Sequence, residues 1–290
     1  MKKGLMNLFF LIIILVLVTC QNKSKSEIKN LVYEYGKFTQ NASVFLFGDN
    51  VNIRNKPSLD SEILDTLPAG YKVKVLECTE TEYKLSGFKS NWYKISFIAK
   101  DGHMQTGYIW GGFLAPCALE SDMDNDRKNE LVLVGILEKG KEEKKFQVRV
   151  VKEGKILSRL TFSPIDSDPT SEYFSYTVKA TWLGNKGFKP PIKIIRIGFV
   201  YEACDYPNGD VLLVWDGKNI LYGMKTLQSS NEYGYTGFEY IFPDEKNGKE
   251  NQIVIKTETG EYDEKGNIKK KSETLEYYLW DGKKFKKIDQ

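Results

Sequence analysis

The chain has 290 residues, with 42 lysines and arginines against 39 acidic residues and a net charge of +3 at pH 7. Nucleic-acid binding depends on clustered basic charge, so this balance argues against a nucleic-acid partner. Aromatic residues make up 13% of the chain, short β-branched runs are frequent, and no helical periodicity persists, which together predict an all-β protein of one large or two ordinary domains.

Residues 1–20 have the pattern of an export signal. Lys2 and Lys3 precede an apolar run at residues 8–18, and Cys20 follows it. As a helix, eleven residues rise about 16 Å, whereas a hydrocarbon core is about 30 Å thick. The pattern therefore predicts a cleaved signal peptide and an exported protein, not a membrane span.

Cys20 lies directly after the apolar run and before the polar residues 21–26. This arrangement resembles the lipobox of bacterial lipoproteins, in which the cysteine becomes the new N-terminus and carries fatty acyl chains such as palmitate. The resemblance implies a covalent lipid on Cys20 and anchoring to a membrane of the cell envelope, at the outer membrane or cell surface. The alternative is a plain secretory signal in which Cys20 is incidental.

Residues 21–43 are interpreted as a tether that leads into a short ordered segment, and residues 44–116 as a small barrel. In the barrel region, apolar and polar residues alternate at 51–54 and 71–76, and further short apolar runs lie at 63–67, 92–97 and 107–110. Turn residues separate these runs. Five short strands within about 65 residues predict a small barrel.

The same residues resemble a bacterial SH3 domain, and only residues 79–91 depart from the family pattern, being longer than usual. The motifs that carry the resemblance are, in order, N-I-R-N-K-P-S at 52–58, L-P-A-G-Y-K-V-K-V at 67–75, W-Y-K-I at 92–95 and G-Y-I-W at 107–110. The resemblance implies a cell-wall peptide or an envelope protein as the ligand.

Aromatic side chains of this barrel are the candidate ligand contacts. In SH3-like folds, partly exposed rings line a groove for extended peptides. We expect Trp92, Tyr108 and Trp110 to form this groove, with the two tryptophans on the more open faces. The alternative is that such rings fill the barrel core.

Residues 117–290 are predicted to form a larger β domain derived from a repeat. Glu-Gly or Asp-Gly dipeptides, which favour tight two-residue hairpins, occur between apolar runs. Their glycines, Gly154, Gly217 and Gly282, are spaced by 63 and 65 residues. Three units are too few for a closed propeller, so we expect stacked sheets or a sandwich.

An acidic loop just before the apolar run at 131–134 is the candidate metal site. Its pattern, DxDxDxxxE, supplies hard oxygen ligands at the spacing that calcium uses. It resembles the calcium loops of FG-GAP-type and dockerin-like repeats, although Arg127 stands where those loops have glycine. The alternative is a solvated acidic loop. The expected Ca²⁺ ligands are Asp122, Asp124, Asp126, the Lys128 carbonyl and Glu130.

The chain has one histidine, His103, so it lacks the residues for a multi-histidine zinc site, and a nucleophile–histidine pair would have to form at that turn. Of the remaining cysteines, Cys78, Cys117 and Cys204, two could pair or all could be buried thiols. We therefore expect a non-enzymatic envelope lipoprotein that binds a wall peptide or an envelope protein through its barrel. The alternatives are a wall-modifying enzyme or enzyme inhibitor, and a surface adhesin ordered by calcium.

Overall fold

The computed structural model describes residues 29–32, 37–85, 88–138, 144–163, 176–189, 192–201 and 208–289. The expected signal peptide, the expected lipidation site Cys20, and Cys204 lie outside these residues. The described chain consists of strands and a single short 3₁₀ helix, Gly111–Phe113, so the expected all-β class is confirmed. Among the described residues, none belongs to a helix with the length and hydrophobicity needed to cross a bilayer.

Nineteen strands form three sheets among the described residues. In chain order they are β1 Lys29–Val32, β2 Ser43–Phe45, β3 Val51–Arg54, β4 Ile63–Leu67, β5 Lys72–Leu85, β6 Phe88–Ile98, β7 Met104–Trp110, β8 Cys117–Ser121, β9 Glu130–Glu138, β10 Lys144–Lys152, β11 Lys155–Phe162, β12 Tyr176–Gly184, β13 Lys193–Tyr201, β14 Asn208–Trp215, β15 Ile220–Ser230, β16 Gly234–Ile241, β17 Gln252–Tyr262, β18 Ile268–Trp280 and β19 Phe285–Ile288.

The barrel is a six-stranded sheet in the order β2-β5-β6-β7-β3-β4. In β5, Val73 and Val75 are buried while Lys72 and Lys74 are exposed, as the alternation predicts. Each predicted strand of the barrel is present. The hairpin of β5 and β6 is much longer than expected, however, because residues 79–91, the segment that departs from the SH3 pattern, extend both strands beyond the barrel core.

Apart from β1, the remaining strands form three antiparallel meanders of four strands each: β8–β11 (first), β12–β15 (second) and β16–β19 (third). In every meander the glycine singled out in the sequence lies in the turn between the third and fourth strands. Only the first turn is the expected two-residue hairpin, with Glu153 at φ 48° and Gly154 at φ 76°. The other two turns have four residues, 216–219 and 281–284. Common descent of the meanders stays a prediction.

The second and third meanders share one eight-stranded sheet, but only two residue pairs join β15 to β16, at Ser229 and Ser230. The sheet therefore folds back on itself. One apolar core lies between the first and second meanders, and another lies between the second and third. The domain is thus a stack of sheets, as expected.

The barrel packs against the outer face of the first meander through a shared apolar cluster that includes Phe45, Phe47, Leu133 and Val151. Because the first meander is covered on both faces, its strand β9 carries a continuous apolar run at 131–134 in place of an alternating one.

Residues 21–43, expected to be a tether that leads into a short ordered segment, are described only in part. Residues 29–32 form β1, which pairs with β8 at the edge of the first meander, with Lys29 opposite Glu120 and Val32 opposite Cys117. Further along, the Phe38 side chain is buried in the barrel core, edge-on to Tyr93.

Candidate functional site

The barrel presents one outer face on which a tyrosine is flanked by basic and apolar side chains. Strand pairing places Arg54 opposite both Tyr108 and Ile63, and places Lys94 opposite Tyr108 on the other side. Directly opposed residues of neighbouring strands project from the same face. Tyr108 therefore lies in the middle of a row that crosses four strands, from β6 through β7 and β3 to β4.

Two more apolar side chains lie on this face, nearer the turn that joins β6 to β7. Ile98 and Met104 are paired across that turn and are 45% and 73% exposed, and Ile63 is 48% exposed. We call these residues the outer barrel face: Arg54, Ile63, Lys94, Ile98, Met104 and Tyr108. Such a group of exposed apolar side chains beside a half-buried tyrosine is typical of a binding surface.

The expected exposure of the two tryptophans is wrong. Trp92 and Trp110 are paired across β6 and β7 and are only 2% and 5% exposed. The Trp110 indole N–H donates to the Tyr83 carbonyl at 3.0 Å and to the Ser90 carbonyl at 3.1 Å. The extended β5–β6 hairpin therefore covers a ring that would otherwise face solvent.

The Trp110 ring also has close neighbours in the short helix that follows β7. Phe113 packs edge-on at 5.2 Å, and a Cβ added to Gly112 would come within 2.1 Å of the Trp110 ring. Of the three expected groove residues, only Tyr108 remains accessible. Ile63, Ile98 and Met104 were missed, although the period-two alternation at 94–98 and 104–108 places two of them on the face opposite the core.

The acidic loop brings three of its expected ligands together. Carboxylate oxygens of Asp122, Asp124 and Glu130 lie within 4.8 Å of one another, so this cluster could hold a metal ion. The loop bends sharply as expected of such a site, and Arg127 adopts a φ of 71° in the position where glycine is usual. Its backbone N–H donates to an Asp122 carboxylate oxygen at 3.1 Å.

Lys152, from the end of β10, occupies the centre of this acidic loop. Its Nζ lies 2.7 Å from Asp124, 2.8 Å from Asp126 and 2.5 Å from Glu130, whose side chain is only 1% exposed. Hydrogen bonding to Lys152 is the main cause that lowers the pKa of Asp126. These carboxylates thus already have a counter-ion from the protein itself.

Asp126, the fourth expected carboxylate ligand, is not part of the cluster of three. Asp126 contacts Lys152, and the Lys128 ammonium pairs with Glu153 at 2.7 Å. The donor set therefore fits calcium only in part, because a metal ion at this position would have to displace the Lys152 ammonium.

His103 and two of the cysteines fall outside both candidate sites. His103 is exposed in the turn after β6, where its backbone N–H donates to Asp101 at 3.0 Å. Cys78 is an exposed free thiol and Cys117 a buried one, and the Cys117 sulfur accepts the Ala180 N–H at 3.1 Å. Burial raises the pKa of Cys117 to about 12.

Comparison with known proteins supports the identification of the barrel. A family model described as "Bacterial SH3 domain" matches residues 49–115, which lie within the expected domain at 44–116. Searches of curated proteins and of solved structures found no match to the chain. The matched region carries the outer barrel face, and a domain of this family indicates a binding role.

Proposed function

We propose that this protein is a non-enzymatic envelope lipoprotein that binds a cell-wall peptide or an envelope protein through the outer barrel face. The single observation that carries the proposal is the row formed by Lys94, Tyr108, Arg54 and Ile63 within the bacterial SH3 domain. This row combines an aromatic ring, which can pack against a ligand, with basic side chains, which can orient the ligand.

The composition of this face favours one kind of ligand. Arg54 and Lys94 flank the Tyr108 ring, while Ile63 and Met104 add exposed apolar surface. Guanidinium groups bind carboxylates in a fixed geometry, and aromatic and apolar side chains pack against extended chains. A peptide with small apolar side chains and free carboxylates matches both requirements.

Co-sedimentation with purified peptidoglycan sacculi tests this proposal with a protein that comprises residues 21–290. We expect the wild type to sediment and Tyr108→Ala to lose most of its binding. Tyr83→Ala is the matched control, because Tyr83 is a 40% exposed tyrosine of the same barrel outside this face. Equal sedimentation of wild type and Tyr108→Ala would refute binding by this face.

The same preparation separates the alternative functions. If wild-type protein does not sediment but captures an envelope protein in a Tyr108-dependent manner, the ligand is a protein. Release of labelled muropeptides above a heat-killed control would favour a wall-modifying enzyme.

We further propose that Cys20 carries the lipid anchor. The apolar run and the cysteine that follows it support this, and the bacterial SH3 family is commonly associated with the cell wall or the cell exterior. Cys20→Ser should move the protein from the membrane fraction to the soluble envelope fraction. Retention of this variant in the membrane fraction would contradict the anchor.

A calcium-binding role is the second candidate, and the proximity of Asp122, Asp124 and Glu130 favours it. We propose that Ca²⁺ binds only in competition with the Lys152 ammonium. Because a bound ligand stabilises the fold by mass action, millimolar Ca²⁺ should raise the melting temperature of Lys152→Gln more than that of the wild type. Lys155→Gln, at the exposed start of β11, is the control. If Lys152→Gln has the same melting temperature in calcium and in chelator, calcium binding at this site is excluded.

A further inference from the structure

A cavity of about 530 Å³ lies between the second and third meanders, remote in sequence from the barrel. Strands β13 and β14 form one wall and β16 forms the other. The apolar core between these meanders ends where the cavity begins, since Ile194 and Leu212 are in the core while Arg196 and Asp210, two residues along each strand, line the cavity. Its volume is within the usual range for small-molecule sites.

Asp210 is a largely buried carboxylate in this cavity without a close partner. Its side chain is only 17% exposed, and burial raises its pKa. Within the described part of the chain, no hydrogen bond reaches its carboxylate. The nearest cation is Arg196, whose Nη1 lies 4.0 Å from Oδ2, too far for a hydrogen bond. A carboxylate buried in this way costs free energy unless a donor reaches it.

Gly198 makes room for this carboxylate. Pairing between β13 and β14 sets Gly198 opposite Asp210, and a Cβ at Gly198 would lie 3.1 Å from Asp210 Oδ1. A side chain at this position would crowd the carboxylate and fill part of the cavity, so the glycine keeps both accessible.

Apart from Gln228 and Glu239, which are exposed, the other charged and polar side chains around the cavity have close partners. At the rim, Lys186 lies 2.6 Å from Glu245, and the Phe242 N–H donates to the same carboxylate at 3.0 Å. On the β16 wall, the Tyr240 hydroxyl is 2.5 Å from that of Thr226. The contact between Arg196 and Asp210, at 4.0 Å, is therefore longer than those of the paired groups around it.

The wall opposite Arg196 and Asp210 is aromatic. Phe238 and Tyr240 of β16 lie beside Phe242, which follows this strand, with ring centroids 5.3 Å and 5.9 Å apart between neighbours. This wall offers apolar surface to a ligand whose polar end is held by the charged pair.

We propose that this cavity binds a free α-amino acid with an apolar side chain. The α-ammonium of the ligand would donate to Asp210, and its carboxylate would accept from Arg196. In an α-amino acid, two bonds separate the ammonium nitrogen from the carboxylate carbon. A single small molecule can therefore contact both side chains across the 4.0 Å between Arg196 Nη1 and Asp210 Oδ2. The apolar side chain packs against Phe238 and Tyr240.

Titration calorimetry with L-leucine tests the proposal on the protein of residues 21–290. We expect saturable binding. N-acetyl-leucine lacks the ammonium and leucinamide lacks the carboxylate, so each should bind at least about tenfold more weakly. Glycine, which lacks the apolar side chain, should also bind more weakly. Absence of saturable heat with millimolar leucine would overturn the proposal, and so would binding of either blocked derivative as tight as that of leucine.

Variants localise the binding to the cavity. Asp210→Asn and Arg196→Gln should each weaken leucine binding at least about tenfold, and Gly198→Ala should weaken it by crowding Asp210. Glu261→Gln is the control, because Glu261 is an exposed carboxylate paired with Lys270 outside the cavity. Asp210→Asn removes a poorly solvated charge, so its melting temperature without leucine should not fall below that of the wild type. Full leucine binding by Asp210→Asn would refute the site.

Discussion

The Glu130 side chain is almost fully buried, and the ion pair with Lys152 is what makes this burial tolerable. Leu131 pairs with Val151 across the antiparallel strands β9 and β10. Glu130, which precedes Leu131, and Lys152, which follows Val151, therefore lie at the same end of the sheet. The Lys152 ammonium then reaches Glu130 and two exposed aspartates. A buried carboxylate without such a partner would be strongly destabilising.

The spacing of acidic residues correctly predicted that Asp122, Asp124 and Glu130 would converge, because all three lie within one short loop. It could not predict Lys152, since this residue reaches the loop only through the pairing of β9 with β10. Local spacing therefore identifies which groups of one segment meet. It does not identify the counter-ion that another strand supplies.

The two described thiols should differ in reactivity at neutral pH. Cys78 is exposed, whereas burial raises the pKa of Cys117 to about 12 and leaves it protonated. Because the thiolate is the reactive form, iodoacetamide at pH 8 should alkylate Cys78 in the native protein and spare Cys117. Peptide mass spectrometry measures the two sites separately.

Denatured protein is the control for this experiment, and both sites should be alkylated in it. Rapid labelling of Cys117 in the native state would show that the first meander opens locally. This result would contradict the burial of Cys117 in the core between the first and second meanders.

The turn between β10 and β11 lies close to the barrel. Gly154 has a φ of 76°, and a Cβ added to it would lie 3.2 Å from Pro68 Cγ of the barrel. Glu-Gly at 153–154 predicted this turn correctly because the required backbone conformation is local. At 217 and 282 the glycine was correctly placed in a turn, but loop length depends on which residues pair on either side.

Gly154→Ala should destabilise the protein by about 1–2 kcal/mol, because a side chain disfavours positive φ, and the contact with Pro68 adds to this cost. Urea denaturation followed by fluorescence measures the change. Gly237→Ala is the matched control. Gly237 lies in β16 without positive φ, and no atom lies within 4 Å of an added Cβ, so this variant should be neutral or slightly stabilising.

If the free energy of unfolding of Gly237→Ala were lower than that of Gly154→Ala, this result would contradict the turn geometry. The expected order depends on backbone conformation and on the contact with Pro68, since both substitutions add the same methyl group.

At the scale of the whole molecule, the barrel and the first meander share one apolar cluster. Phe47 fits over Gly135, where an added Cβ would lie 2.6 Å from its ring. The Arg149 guanidinium stacks 4.1 Å from the ring centroid and also donates to the Phe47 carbonyl. Burial lowers the pKa of Arg149 to about 10.

Phe47→Ala should therefore cost about 3 kcal/mol, since it leaves a void beneath a buried arginine. We expect calorimetry to show a lower melting temperature, with the barrel unfolding separately from the meanders. Tyr233→Ala is the control, because Tyr233 is 73% exposed in the turn between β15 and β16. An unchanged, single unfolding transition for Phe47→Ala would show that the two parts are not coupled through this contact.

The sequence was most informative about the barrel and the order of strands, because short-range alternation and turn residues determine both. It was least informative about what covers a strand. Trp110 lies on the solvent side by alternation, yet the β5–β6 hairpin buries it. The cavity beside Asp210 was not foreseen either, because it depends on the way in which an eight-stranded sheet folds back.

The pairing of β1 with β8 has a mechanical consequence for a molecule anchored through Cys20, as we propose. Eight residues, 21–28, separate that cysteine from β1, and a fully extended chain of this length spans at most about 28 Å. The first meander would then be held close to the bilayer. A force that pulls the bound wall away from the membrane would load β1 first, and its four residue pairs with β8 would be the first to peel apart.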